Sequence, residues 1–122
     1  MSFESYGFDE RLLSSIARQA WSSPTAVQSA MFPLMFKKRN IISKARTGSG
    51  KTAAYALPIL QMNISNNKNK SIILVPSKEL CQQVFKMVQN LASNCLVQVK
   101  EISAVSSKDE QPDILIGTPT KL

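Results

Sequence analysis

Histidine is absent from this sequence. That removes most zinc sites and every catalytic triad built on an imidazole. Cysteine is scarce: Cys81 and Cys95 match no metal-binding or redox spacing, so both read as reduced thiols of an intracellular protein. No apolar stretch approaches the length of a membrane-spanning helix, so no membrane association is expected. The start, MSFESYGFDE, has no basic segment leading into an apolar core, which predicts no signal peptide. Without a secretory signal, Asn63-Ile64-Ser65 matches the glycosylation triplet only by coincidence. Acidic residues are few: eight Asp and Glu stand against fifteen Lys and Arg, a net charge of +7. That balance favours polyanionic partners, nucleic acid or phosphorylated ligands, and is silent about the fold.

What the sequence does contain suits a packed domain. A chain of 122 residues, 43% hydrophobic and with both charge signs, is one structural unit at most. Leu12, Leu13, Ile16 and Ala17 share a helical face behind a capping Asp9, giving a helix from about Asp9 to Ala20. Pro24-Thr25 opens a second helix to about Phe36, with Val27, Ala30, Met31, Leu34 and Met35 as its apolar side and a kink or early end at Pro33. These elements make residues 1–36 a helical N-terminal region. Over residues 37–122, Lys37-Lys38-Arg39-Asn40 forms a solvated turn and Ile41 to Ala45 a short strand. A helix then begins at Thr52, and Asn63 to Lys70 (NISNNKNK) is a solvated connector. Ser71 to Val75 is apolar without alternation, as in a strand buried on both faces. Lys78 to Asn94 carries Leu80, Val84, Met87, Val88 and Leu91 at helical spacing, and Leu96 to Ile102 and Asp113 to Gly117 are further strands. The order predicts an α/β fold, a parallel sheet with flanking helices.

Between the first strand and its helix lies ARTGSGKT, Ala45 to Thr52. A triphosphate needs backbone N–H groups aimed at its oxygens, a main chain able to wrap it, and a helix N-terminus behind it. Gly48 and Gly50 supply the flexible backbone, Lys51 a point charge for the β and γ phosphates, and Thr52 a hydroxyl for magnesium. The plain alternative is a flexible Gly-Ser turn; the flanking strand and helix favour the cradle. Against the general pattern G-x-x-x-x-G-K-[ST], an alanine stands at the first position.

A-x-T-G-S-G-K-T resembles motif I of the DEAD-box RNA helicases, in which alanine commonly opens the loop. Ala20 to Gln28 (AWSSPTAVQ) resembles the family's Q motif, with Phe3 at the upstream aromatic position. Pro76 to Cys81 (PSKELC) resembles motif Ia, and Gly117 to Lys121 (GTPTK) resembles motif Ib. The resemblance implies a partial RecA-like (P-loop NTPase) domain over residues 37–122. It implies ATP held by Phe3, Gln28 and Ala45, Arg46, Thr47, Gly48, Ser49, Gly50, Lys51 and Thr52, with Lys51 and Thr52 serving catalysis and Thr52 holding Mg²⁺. Gln28 would read adenine, since an amide offers the donor and acceptor that its edge requires, and Phe3 would stack on the ring. On their own, Gln28 could be a surface residue of a capped helix and Phe3 a core staple. RNA backbone would lie along Pro76, Ser77, Lys78, Gly117, Thr118, Pro119 and Lys121. Lysine for arginine at Lys78 and Lys121 keeps the charge and loses the bidentate fork. Trp21, ARTGSGKTAAYALPIL, Lys78-Glu79-Leu80 and PDILIGTP look most like the nucleolar subgroup that assembles the large ribosomal subunit. Pre-ribosomal particles as partners and a nuclear, nucleolar location follow from that likeness; an oligomer is not indicated.

ATP hydrolysis at such a site needs an acidic residue ending an apolar strand. None of the eight acidic residues does so, and the tetrapeptide D-E-A-D does not occur. The expectation is therefore a RecA-like unit truncated before that motif, with an unpaired sheet edge after the Asp113–Gly117 strand and marginal stability. Two functions of different class compete. One is the N-terminal part of an ATP-dependent RNA helicase, and the other a non-catalytic nucleotide- or RNA-binding module. A P-loop kinase or GTPase ranks third, since it leaves Gln28 and the later motifs without a role.

Overall fold

The computed structural model describes residues 2–41, 50–102 and 112–119. A 3-10 turn (Phe3–Tyr6) leads into helices α1 (Glu10–Arg18) and α2 (Ala26–Phe36), then α3 (Lys51–Ser65), strand β1 (Ser71–Leu74), α4 (Lys78–Ala92), β2 (Val99–Glu101) and β3 (Ile114–Gly117). The described strands form one parallel sheet in the order β1-β3-β2. The α/β class is as expected. The strand expected over Ile41 to Ala45 lies, apart from Ile41, outside the described residues.

α1, α2 and α4 each start behind a residue whose side chain caps them, Asp9, Thr25 and Ser77. The Asp9 carboxylate accepts the Arg11 N–H at 2.9 Å, and the hydrogen bond and charge of Arg11 hold that carboxyl below its ordinary range. α1 buries Leu12, Ser15 and Ile16 and leaves the expected Ala17 outside. A serine fits inside because its hydroxyl donates to the Arg11 carbonyl one turn back. α1 ends before Ala20, whose φ is 61°, the left-handed conformation that usually selects glycine after a helix.

α2 faces inward through Gln28 and Phe32, while Ala30 and Leu34, expected on the apolar side, are exposed. Aromatic attraction decides this rotation. Phe32 meets Tyr6 edge-on at 5.0 Å and Phe8 at 5.2 Å, with Phe3 at 6.4 Å. Nor does Pro33 end the helix, which continues to Phe36.

On the sheet, Ile73, Ile114, Ile116 and Val99 turn toward one face and join Leu57, Leu60, Val84, Val88 and Leu91 in a single core. Phe3, Phe8, Leu12 and Ile16 belong to that same core. The N-terminal helices also grip the rest by polar contacts: the Asp9 N–H donates to Gln61 Oε1 at 2.6 Å, and Asn94 bonds Ser14 at 3.3 Å. β1 corrects one expectation. Its residues alternate, with Ile72 64% and Leu74 58% exposed, so the described residues cover one face of this strand rather than two. β3 corrects another: the strand latest in sequence lies in the middle of the sheet, and the edges of the described sheet are β1 and β2.

The connector is more ordered than its composition suggests. Asn63 is 2% exposed and donates to the Asn69 carbonyl, while the Asn69 amide donates back to Met62. Asn63 thus sits inside α3, which agrees with discounting it as a glycosylation site. Asp113 fastens the neighbouring ends: its carbonyl accepts the Ser71 N–H, its carboxylate accepts the Gln98 N–H at 2.8 Å, and Lys70 pairs with it.

Two outcomes follow from this packing. Burial pushes the Asp113 carboxyl up, but the Gln98 N–H, the Lys70 and Asn63 side chains and the Lys70 charge together hold it below its ordinary value. Its contribution is therefore present above the unfolded carboxylate pKa of about 3.9 and fades as pH falls through the lower folded value. We predict that Asp113→Asn lowers stability at pH 7 by about 1–2 kcal/mol and flattens the acid limb of urea midpoints between pH 6 and pH 3; parallel limbs would contradict this. Ala20→Gly should raise the melting temperature, since left-handed backbone costs an L-residue roughly 1–2 kcal/mol. An unchanged or lower melting temperature would refute that strain.

Candidate nucleotide and nucleic-acid site

The site begins with a capping problem. Thr25 precedes α2 and its Oγ1 accepts the Gln28 N–H at 3.3 Å, while Gln28 Oε1 accepts the Thr25 N–H at 3.0 Å. This reciprocal capping box satisfies two donors that the start of a helix leaves over. Its signature, T-x-x-Q, stands in the sequence as Thr25 to Gln28. Gln28 then reaches further, donating from Nε2 to the Gly50 carbonyl at 3.2 Å. That long-range partner has no sequence signal.

Gly50 is the residue from which α3 starts. Its φ is 84°, and a Cβ built there would come 2.5 Å from Gln28 Nε2 and 3.2 Å from Thr25 Oγ1 and Cγ2. Both the conformation and the space therefore require glycine. No side chain caps α3 and no acidic residue occupies its first turn. Such an end presents backbone N–H groups and the positive pole of the helix dipole, the ordinary setting for an anion. Lys51 is exposed in that first turn. Thr52 follows it, half-buried, with its side chain hydrogen-bonded to Tyr55. Burial raises the Tyr55 phenol, partly offset by the Thr52 contact. A helix start, an ammonium and a hydroxyl are a donor set that fits a phosphate and its magnesium. Ala45, Arg46, Thr47, Gly48 and Ser49 lie outside the described residues.

Phe3 does not stand open beside these groups. It is 4% exposed, packed 6.5 Å from Trp21 and 6.4 Å from Phe32, and so offers almost no ring surface to a base.

The other candidate residues gather at the carboxyl ends of two adjacent strands. Leu74 registers with Gly117, and the Val75 N–H donates to the Gly117 carbonyl at 3.0 Å, which sets the loop after β1 beside the loop after β3. Ligands of open α/β sheets bind outside such strand ends. Pro76, Ser77 and Lys78 are exposed, with Ser77 Oγ capping α4 by accepting the Leu80 N–H at 3.2 Å. Gly117 is buried, Thr118 half-buried and Pro119 exposed; Lys121 lies outside the described residues. Cys81 is buried, and Leu80, expected on the inner face, is 38% exposed. The inner face of α4 is instead Cys81, Val84, Val88 and Leu91. Burial raises both thiols, Cys81 further by the Glu101 charge, so neither is primed as a nucleophile.

Known proteins match this chain in sequence and in shape. Residues 25–122 match the family described as DEAD/DEAH box helicase. The protein named probable ATP-dependent RNA helicase ddx56 of Dictyostelium discoideum is 40% identical over 99% of the chain and 20% of its own length. DEAD-box ATP-dependent RNA helicase 16 of Arabidopsis thaliana is 38% identical over 97% of the chain and 21% of its own length. The chain thus spans about a fifth of the length of these relatives. Among solved structures, S. cerevisiae Dbp5 bound to RNA and ADP BeF3 superposes with a TM-score of 0.86 at 27% identity, over 98% of this chain and 32% of that one. A DEAD box protein from Methanococcus jannaschii gives 0.84 at 31% identity, over 98% and 35%. With the family matched across most of its length, the chain belongs to the DEAD/DEAH box helicases.

Proposed function

We propose that this chain is the ATP- and RNA-holding part of an ATP-dependent RNA helicase acting in ribosome biogenesis, with a nuclear, nucleolar location. In this reading Ala45 to Thr52 cradle the phosphates, Lys51 neutralises their charge and Gln28 reads adenine. Pro76 to Lys78, Gly117 to Pro119 and Lys121 hold RNA backbone without reading its sequence. The Thr52 hydroxyl would hold magnesium, which would supply positive charge to offset charge developing on the phosphates. Phe3 supports the site from within the core. Support for the helicase role comes from the relative named probable ATP-dependent RNA helicase ddx56, while ribosome assembly and pre-ribosomal partners rest on the likeness of Trp21, ARTGSGKTAAYALPIL, Lys78-Glu79-Leu80 and PDILIGTP to the nucleolar subgroup.

One observation carries this reading: the bond from Gln28 to the Gly50 carbonyl joins the candidate adenine reader to the root of the phosphate helix. A second reading is a binding module without hydrolysis, favoured by Asp113, whose carboxylate is committed to Lys70 and the Gln98 N–H.

The test is ATP affinity of the 122-residue chain with Mg²⁺. Saturable binding is expected, weaker for GTP and reduced about 10- to 100-fold in Lys51→Ala, the range of one or two charge-assisted contacts. Gly50→Ala should abolish binding and lower the melting temperature, because the added Cβ collides with Gln28. Equal affinity for ATP and GTP would remove Gln28 as the reader, and unaltered binding by Lys51→Ala would remove the cradle.

A further inference from the structure

Two basic stretches look like unrelated solvated turns in the sequence: Lys37-Lys38-Arg39 and Lys68-Asn69-Lys70. The fold brings them together. Arg39 borders two adjoining clefts of about 430 and 370 Å³; Lys37 lines the first, and Lys38 and Lys70 line the second with Met35 and Met62. All four basic side chains are exposed, as is Lys68 on the same connector. Asp113 pairs with Lys70, whereas Lys37, Lys38 and Arg39 have no ion pair among the described residues.

The backbone fixes this cluster. α2 closes with the Lys38 N–H donating to Met35 and the Arg39 N–H to Leu34, at 2.9 and 3.1 Å, around Lys38 at φ 57°. Glycine is the ordinary occupant of that left-handed position. Lysine held in a conformation that disfavours it breaks a local rule, and such breaks gather at functional places. The place is also remote from the nucleotide site. Gln28 lies in the first turn of α2 and Lys38 just past its end, so the run from Gln28 to Phe36, about 12 Å at 1.5 Å per residue, lies between them. Ser71, which borders the second cleft, opens β1, while Pro76 to Lys78 follow its other end.

We infer that this cluster, at the amino ends of the strands, is a second surface for single-stranded RNA, built on phosphate contacts from Lys37, Lys38 and Arg39. Met35 and Met62 supply an adaptable apolar floor on which an unstacked base can rest. The choice of RNA over an acidic protein segment rests on the function proposed above. The surface itself shares no residue with that site.

The experiment is titration of the 122-residue chain with a fluorescein-labelled 20-nucleotide oligouridine across a salt series. A Lys37→Gln/Lys38→Gln/Arg39→Gln variant should bind on the order of tenfold more weakly at low salt. Its slope of log affinity against log salt should be shallower by about 2, at roughly 0.7 per phosphate contact. ATP affinity and melting temperature should be unchanged. A control, Arg18→Gln/Lys86→Gln, removes charge elsewhere; the same loss per charge in it would overturn the inference, as would an unaltered slope in the triple variant. Lys78→Glu tests the strand-end surface separately, so a loss in the triple variant alone supports the second surface while refuting the first. If the triple variant loses affinity for polyglutamate and keeps it for oligouridine, the surface serves an acidic protein and the inference fails.

Discussion

A buried primary amide must have its hydrogen bonds satisfied, and the whole candidate site is arranged around that requirement at Gln28. The residue is 3% exposed, and its amide is spent locally on the Thr25 N–H and distantly on the Gly50 carbonyl. Losing either partner would leave a buried polar group bare, at about 1–3 kcal/mol. The start of α2 and the start of α3 are therefore locked to each other. Gly50 permits this only because it has no Cβ, so the amide and the glycine specify one another. An amide carries two N–H groups and two acceptor lone pairs. Among the described residues one of each is engaged, and at 3% exposure the amide has no more open surface than Phe3, so the adenine contact proposed for Gln28 requires the amide to be uncovered.

Asp113 plays a comparable part at the other end of the sheet. By holding Ser71, Gln98 and Lys70 it aligns the amino ends of β1, β2 and β3. Parallel strands aligned at their starts and matched in register deliver their far ends together, and so the Leu74 to Gly117 pairing sets two exposed loops side by side. Register at one edge of the sheet thereby becomes juxtaposition at the other. The same arrangement leaves Lys70 lining one cleft with Arg39.

Much of this was legible in advance, and what was not has physical reasons. Caps are local chemistry, and Asp9, Thr25 and Ser77 each stand where a helix begins. Strand positions and the α/β order followed from apolar runs and turn residues. The orientation of α2 was not legible, because Ala30 to Phe36 is apolar at every position and periodicity has nothing to select. Five aromatic rings from two segments made the choice instead. The apolar run of β1 suggested burial on two faces, but composition reports what a strand tolerates and not how many layers the described residues supply. In the site, the T-x-x-Q box and the loop motifs were visible, whereas the Gly50 carbonyl as partner of Gln28 was not. Backbone carbonyls look alike in every sequence.

Phe3 bears on how a nucleotide would be held. Stacking on an aromatic ring contributes roughly 1–3 kcal/mol per base, and a ring that is 4% exposed supplies little of it. With Phe3 committed to Trp21 and Phe32, the proposed function leaves discrimination of the base to the Gln28 amide and affinity to the α3 N-terminus and Lys51. These two contributions act at opposite ends of the ligand and are joined through a single bond, from Gln28 to Gly50. Under the proposed function, adenine recognition and phosphate binding would be coupled: a change that shifts α3 also moves the partner that orients the amide. A nucleoside without phosphates meets only the weaker half of such a site, and a free polyphosphate only the stronger half. Under the proposed function, ATP would be the ligand for which both halves act at once.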